Sequence, residues 1–150
     1  MRIVLQRVSS ARVESQGRLL GAIQKGFVVL VGIADDDTGD DADWLAAKIH
    51  GMRVFADAEG KMNLDLTQVG GSLLIVSQFT LHASTKKGNR PSFISAARPE
   101  RAIPIYNYFV EKLEALTGKP CATGIFGADM QIHLVNDGPV TICMDSKSKE

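Results

Sequence analysis

Three polar segments of this chain have residue types that could do chemistry. The first is Ser77-Gln78-Phe79-Thr80-Leu81, where an apolar run turns polar. If the run continues as a strand, alternation puts Ser77, Phe79 and Leu81 on one face and Gln78, Thr80 and His82 on the other. Thr80 could act as a nucleophile only with a base to activate it, and His82 is the candidate base. The plainer alternative is a strand terminus whose hydroxyls satisfy the adjacent loop. The second segment is Asn136-Asp137-Gly138-Pro139-Val140-Thr141, whose first four residues are all turn formers and by themselves predict a hairpin turn. The third is Thr85 to Pro91, where Lys86, Lys87 and Arg90 alternate with small residues. Such a loop suits phosphate contacts, or is simply a solvated cluster of charge.

Familiar catalytic signatures are missing. There is no G-x-S-x-G elbow, P-loop or H-E-x-x-H, and His50, His82 and His133 lack ligand spacing. Cys121 and Cys143 form no metal or redox motif and read as reduced structural thiols. The aspartates between Asp35 and Asp43 lack the spaced ligands and distal glutamate of a calcium loop, so they read as a helix cap. No metal and no cofactor are expected.

Seventeen basic and seventeen acidic residues balance to a net charge of zero. A general polyanion binder would carry a basic excess, so any basic patch must be local. Aromatic residues make up only 6% of the chain, which argues against a nucleic-acid-binding barrel with stacking residues along its strands. The first residues, MRIVLQRVSS, lack the apolar core of a signal peptide, and no stretch has the length of a membrane span. A cytoplasmic protein is expected.

The elements that must position these segments follow from periodicity. Arg2 to Val8 alternates as a strand, followed by Ala11 to Val13 and, after a turn at Ser15 to Arg18, Leu19 to Ile23. Phe27 to Ile33 is a continuous apolar run that predicts a strand buried on both faces. Leu45, Ile49 and Met52 recur at helical spacing within a helix from about Asp40 to Gly51. Ala56 to Lys61 predicts a tight turn between short strands, and Ser72 to Leu81 is the strongest strand signal. Ile105, Phe109, Leu113 and Leu116 predict a second helix ending before Gly118; Pro104 either begins it or kinks one that starts near Pro99. Two strands, Asp129 to Val135 and Val140 to Met144, close the chain. The expectation is one α+β domain over residues 1–150: a mostly antiparallel β-sheet curled into a barrel-like core, two helices packed outside, and a frayed tail at 146–150.

Taken together and in order, several of these segments resemble one family. They are Gln6-Arg7-Val8, Asp57-Ala58-Glu59-Gly60-Lys61-Met62-Asn63-Leu64, Ser77-Gln78-Phe79-Thr80-Leu81, Arg90-Pro91-Ser92-Phe93, and Asp129-Met130-Gln131 leading to Asn136-Asp137-Gly138-Pro139-Val140-Thr141. The chain is similar to the D-aminoacyl-tRNA deacylases from Met1 to about Asp145. The resemblance implies a homodimer that hydrolyses the ester between a D-amino acid and tRNA, with its active site at the subunit interface. It further implies a cis Gly138-Pro139 peptide inserted into the pocket of the other subunit, with carbonyls facing the substrate amine and Arg7 holding them. Backbone from Ser77 to Thr80 would form the opposite wall, and Met130 would pack near the terminal adenosine. Such an ester is already reactive, so positioning and oxyanion stabilisation can supply most of the catalysis, and a triad is not required.

Overall fold

A computed structural model describes residues 1–149. The first strand, β1 (Arg2–Ser15), organises the molecule. Its first half pairs antiparallel with β3 (Gly26–Gly32), and its second half pairs with β2 (Arg18–Ile23). Along its other edge β1 pairs with β8 (Gln131–Asp145) over nearly its whole length. The strand manages this because the register against β8 slips between Val8 and Ser10, a bulge that bends it and reverses its alternation. Before the bulge Ile3 and Leu5 face one core; after it Ala11 and Val13 join Val8 in a second.

Beyond β3 the sheet continues in parallel through β6 (Ser72–Ser77) to β7 (Ala122–Thr123). Two short strands, β4 (Phe55–Ala56) and β5 (Met62–Leu64), form a separate hairpin. The path β2-β1-β3-β6-β7 almost closes on itself. A Cβ on Gly21 of β2 would lie 3.1 Å from the Ala122 Cβ of β7, so the glycine is what lets the two edges approach. The result is the expected barrel-like α+β architecture, with the parallel pairs β3–β6 and β6–β7 inside a mostly antiparallel sheet.

Both helices lie on one face of the sheet. They are α1 (Gly39–His50) and α2 (Pro99–Thr117). Leu45 and Ile49 from α1, and Phe109 and Leu113 from α2, pack with Ile3, Phe27, Val29 and Ile75 of the strands. Burying each such side chain contributes about 1.5–3 kcal/mol. The opposite face, with Val8, Val13, Val28, Leu74 and Val76, fills the barrel interior. Thr38 and Asp41 form a capping box at the start of α1. Pro104 lies inside α2, which begins at Pro99 and runs through it to an αL cap at Gly118.

Four expectations need correction. The strand expected over Ser72 to Leu81 stops at Ser77, and Phe79–His82 is a single 3-10 turn. The two expected C-terminal strands are one, because β8 continues through the predicted hairpin turn. Ala11 to Val13 is the second half of β1, not a separate strand. The tail does not fray at residue 146. Ser146 is buried, its N–H donates to the Met1 carbonyl at 2.9 Å, and its hydroxyl accepts from the Met1 amine at 2.8 Å. Lys147 reaches Asp41 at 2.9 Å. Burial raises the Asp41 carboxyl, but hydrogen bonds from Ser146, Lys147 and Thr38 outweigh it and hold the group well below its ordinary value. Glu150 lies outside the described residues.

Candidate active site

Two interruptions of strand structure create the site residues. The first follows β6. The Gln78 N–H still donates to the Val31 carbonyl at 2.6 Å, as the parallel ladder requires, and then the chain turns. Leu81 N–H donates to Gln78 O at 3.2 Å and Ala83 N–H to Thr80 O at 3.0 Å. Gly32, the end of β3, permits the turn: a Cβ there would meet the Leu81 Cβ at 2.9 Å, the Gln78 carbonyl at 3.0 Å and the His82 Cδ2 at 3.1 Å. Among the described residues no acceptor takes the N–H groups of Phe79 and Thr80. Phe79 lines a cavity of about 540 Å3, and Thr80 follows it in the turn.

Ser77, Gln78 and Phe79 form one wall of that cavity, and the segment Phe126 to Met130 with Ile132 forms the facing wall. Phe79 is 55% exposed and packs edge-on against Phe93 at 5.1 Å between ring centroids. Behind the cavity, Tyr106 donates its hydroxyl to the Ile75 carbonyl at 2.9 Å and packs edge-on against Phe126. Burial raises the Tyr106 phenol well above its ordinary value, with Cys121 adding to the shift. Burial, helped by Glu114, likewise pushes the Cys121 thiol up to about 12, so it stays protonated and is no thiolate nucleophile.

Thr80 and His82 do not form a nucleophile–base pair. The 3-10 turn, at about three residues per turn, rotates them to different sides, where a strand would have aligned them. The Thr80 hydroxyl instead accepts from the Gln78 side-chain amide. His82 is buried, its Nε2 has no hydrogen-bond partner among the described residues, and no hydrogen bond links it to Thr80.

The second interruption lies in β8. Gln6 pairs with Thr141 and Val8 with Asn136, so the single residue Arg7 stands opposite Asp137, Gly138, Pro139 and Val140. The Gly138-Pro139 peptide is cis. The Asn136 side chain closes the protruding loop, accepting from the Val140 N–H at 3.1 Å and donating to the Thr141 hydroxyl at 3.0 Å. Arg7, with a side chain only 12% exposed, pins the loop. Its Nε donates to the Asp137 carbonyl at 3.1 Å, its Nη1 donates to the Val54 carbonyl, and the Asp137 carboxylate lies 3.6 Å away. A Cβ on Gly138 would meet the Arg7 Nη2 at 2.8 Å.

The structure therefore sorts the candidate residues into three places. Ser77, Gln78, Phe79 and Met130 share the cavity, with Thr80 beside it. Arg7, Gly138 and Pro139 form a second cluster that does not line this cavity. Lys86, Lys87 and Arg90 lie on an exposed loop pinched by paired hydrogen bonds between Ser84 and Ser92. Arg98, Phe126 and the strand-to-strand loop after β7 were not foreseen as lining, and only Met130 in that loop carried a signal. Among the described residues no group of His, Cys, Asp or Glu is placed to hold a metal. Among the described residues no helix is long and apolar enough to cross a membrane.

Comparison with known proteins identifies a family. Residues 4–145 match the family model described as D-Tyr-tRNA(Tyr) deacylase. A Phocaeicola vulgatus protein named D-aminoacyl-tRNA deacylase is 59% identical over 150 residues, covering all of both chains. A Flavobacterium johnsoniae protein of the same name is 58% identical over the same full length. Among solved structures, one described as c-Myc DNA unwinding element binding protein superposes with a TM-score of 0.90 at 40% identity, covering 97% of this chain and 98% of the other. Another, described as a probable eukaryotic D-amino acid tRNA deacylase, shares the fold at a TM-score of 0.81 with 16% identity, covering 95% and 97%.

Proposed function

Because the chain belongs to the D-Tyr-tRNA(Tyr) deacylase family, we propose that it hydrolyses the ester joining a D-amino acid to the 3′-terminal ribose of tRNA and rejects L-aminoacyl-tRNA. The observation that carries this reading is the cavity at the end of β6. Its lining mixes apolar residues with Ser77, Gln78, Arg98 and Asp129, the unpaired N–H groups of Phe79 and Thr80 lie in the adjoining turn, and no side chain in it is an activated nucleophile. That equipment suits a substrate that needs orientation and oxyanion stabilisation more than covalent attack. Water attacks the ester carbonyl, and the N–H groups of Phe79 and Thr80 receive the developing negative charge. The leaving ribose oxygen takes up a proton. Met130 packs near the terminal adenosine, and Lys86, Lys87 and Arg90 contact the phosphates beyond it. The protein acts in the cytoplasm.

Chiral selection requires the second cluster. Gly138 and Pro139 lie off the cavity of their own chain, so in this reading they enter the cavity of a second subunit in a symmetric dimer. Their carbonyls face the substrate's α-amino group, with Arg7 holding the loop. A D side chain points away from them, whereas an L side chain collides with them.

D-tyrosyl-, glycyl- and L-alanyl-tRNA test the mechanism together. The first two are cleaved and the third is largely spared, because only a side chain on the L face is rejected. A methyl filling an apolar pocket is worth about 1–3 kcal/mol, so attraction alone would discriminate weakly. Efficient cleavage of L-alanyl-tRNA, or resistance of glycyl-tRNA at high enzyme, rules out the carbonyl wall. A full-activity monomer at nanomolar concentration rules out insertion between subunits. A simple activated ester and a DNA duplex complete the set. Rapid turnover of the ester alone would indicate a small-molecule esterase, and tight DNA binding without deacylation a binding module.

A further inference from the structure

Gly124 and Met130 bracket the loop that forms one wall of the cavity. Gly124 follows β7, and its N–H donates to the Ile75 carbonyl at 3.4 Å, extending the β6–β7 ladder by one residue. Met130 precedes β8, fixed by the pairing of Gln131 with Glu14 and by the Ser15 hydroxyl donating to the Asp129 carbonyl at 2.8 Å. Both ends of the loop are thus tied to the barrel. Between them the chain turns at Gly127, with Ala128 N–H donating to Ile125 O at 3.2 Å.

The Met130 side chain folds back over Gly124. A Cβ on Gly124 would lie 2.4 Å from the Met130 Sδ, 3.5 Å from its Cε and 3.7 Å from the Val13 Cγ2. Gly124 is not among the glycines with positive φ, so its backbone conformation does not demand glycine. The space does. An ordinary contact begins at 3.4 Å, so an alanine would drive the sulfur about 1 Å from its present position. Val13 is fully buried and closes the interior side, and the backbone of β7 is held by its ladder. The open direction is into the cavity that Met130 lines.

We infer that Gly124 is a specificity-positioning residue: it provides the socket for the Met130 sulfur and so sets how much of the cavity is left for the substrate's terminal nucleoside. The inference rests on the deacylase reading for the identity of that nucleoside. It does not rest on it for the packing. Gly124 touches no reacting atom and acts only through Met130.

The test is a double-mutant cycle with Gly124→Ala, Met130→Ala and the pair, read by steady-state kinetics on D-tyrosyl-tRNA and by the ε-methyl resonance of 13C-labelled Met130. Gly124→Ala raises KM about tenfold, the low end of what one methylene is worth in a pocket, while kcat changes by less than about twofold. In the Met130→Ala background the same change has no further effect, since the group it displaces is gone. In the parent, adenosine shifts the Met130 methyl resonance, and in Gly124→Ala that shift is lost at equal adenosine. An equal effect of Gly124→Ala in both backgrounds, or a fall in kcat at constant KM with a lowered melting temperature, overturns the inference and makes the glycine a folding residue. An unmoved methyl resonance in Gly124→Ala overturns it as well. If the parent fails to cleave D-tyrosyl-tRNA, the deacylase reading falls, and the methyl resonance still decides whether Gly124 seats Met130.

Discussion

The end of β6 and the middle of β8 are both places where a strand stops being regular, and they do so in opposite ways. After Ser77 the ladder ends, the chain tightens into a 3-10 turn, and the turn is pressed against Gly32 in the interior. In β8 the ladder resumes after an excursion of four residues, and the excursion stands out from the sheet with the half-buried Arg7 behind it. The first interruption leaves N–H donors free in a concave place; the second offers carbonyls on a convex one. Donors suit a developing oxyanion, and carbonyls suit an ammonium. A single chain holds both kinds of backbone group in different places, which is the physical reason for reading the site as completed by a second copy.

The two supports differ as well, and substitutions distinguish them. Arg7→Ala has the largest expected effect. It leaves the Asp137 and Val54 carbonyls without their donor and the β8 loop without its anchor. Hydrogen bonds from charged groups are each worth about 1.5–3 kcal/mol, and loss of loop position costs about 100-fold in deacylation, visible in kcat/KM and a lowered melting temperature. Retention of chirality and rate by this variant would mean that the loop holds itself.

Gly32→Ala comes next. Its new methyl meets Leu81, the Gln78 carbonyl and His82, all nearer than ordinary contact, so the turn must shift. Overpacking of this kind costs about 1–3 kcal/mol, and displacing the Phe79 and Thr80 donors lowers kcat more than it raises KM. A rise in KM alone would show that the turn binds substrate without stabilising the transition state.

His82→Ala removes a buried ring and costs about 2 kcal/mol of stability by leaving a cavity, yet each folded molecule keeps its deacylase activity. A large loss of kcat in protein that is fully folded by circular dichroism would restore the histidine as a base. The smallest effect belongs to Thr80→Ala. Its hydroxyl accepts from Gln78 and has no base, so deacylation remains measurable, within about tenfold of the parent. A fall to the uncatalysed rate in folded protein would make that hydroxyl catalytic.

Much of this was legible in the sequence because it is periodic. Alternation placed Ile3 and Leu5 of β1, the continuous run Phe27 to Ile33 announced a strand buried on both faces, and Leu45, Ile49, Phe109 and Leu113 marked the inward stripes of the helices. The spaced motifs, from Gln6-Arg7-Val8 to Asn136-Asp137-Gly138-Pro139-Val140-Thr141, were enough to indicate the family without any coordinates. What failed was the reading of interruptions. Ser77 to Leu81 alternates as a strand should, and nothing local says that Gly32, forty-five residues before Ser77, makes room for a turn there. Asn136 to Pro139 has the composition of a hairpin, and only the continued pairing of Thr141 to Asp145 with β1 turns it into an excursion from one strand. The tail reads as polar and frayed until Met1, Asp37 and Asp41 are seen to hold Ser146 and Lys147. Residue pattern determines which faces are buried, because burial repeats with the period of the element. Where a ladder breaks is decided by contacts between residues far apart in the chain, and those exist only once the barrel has closed.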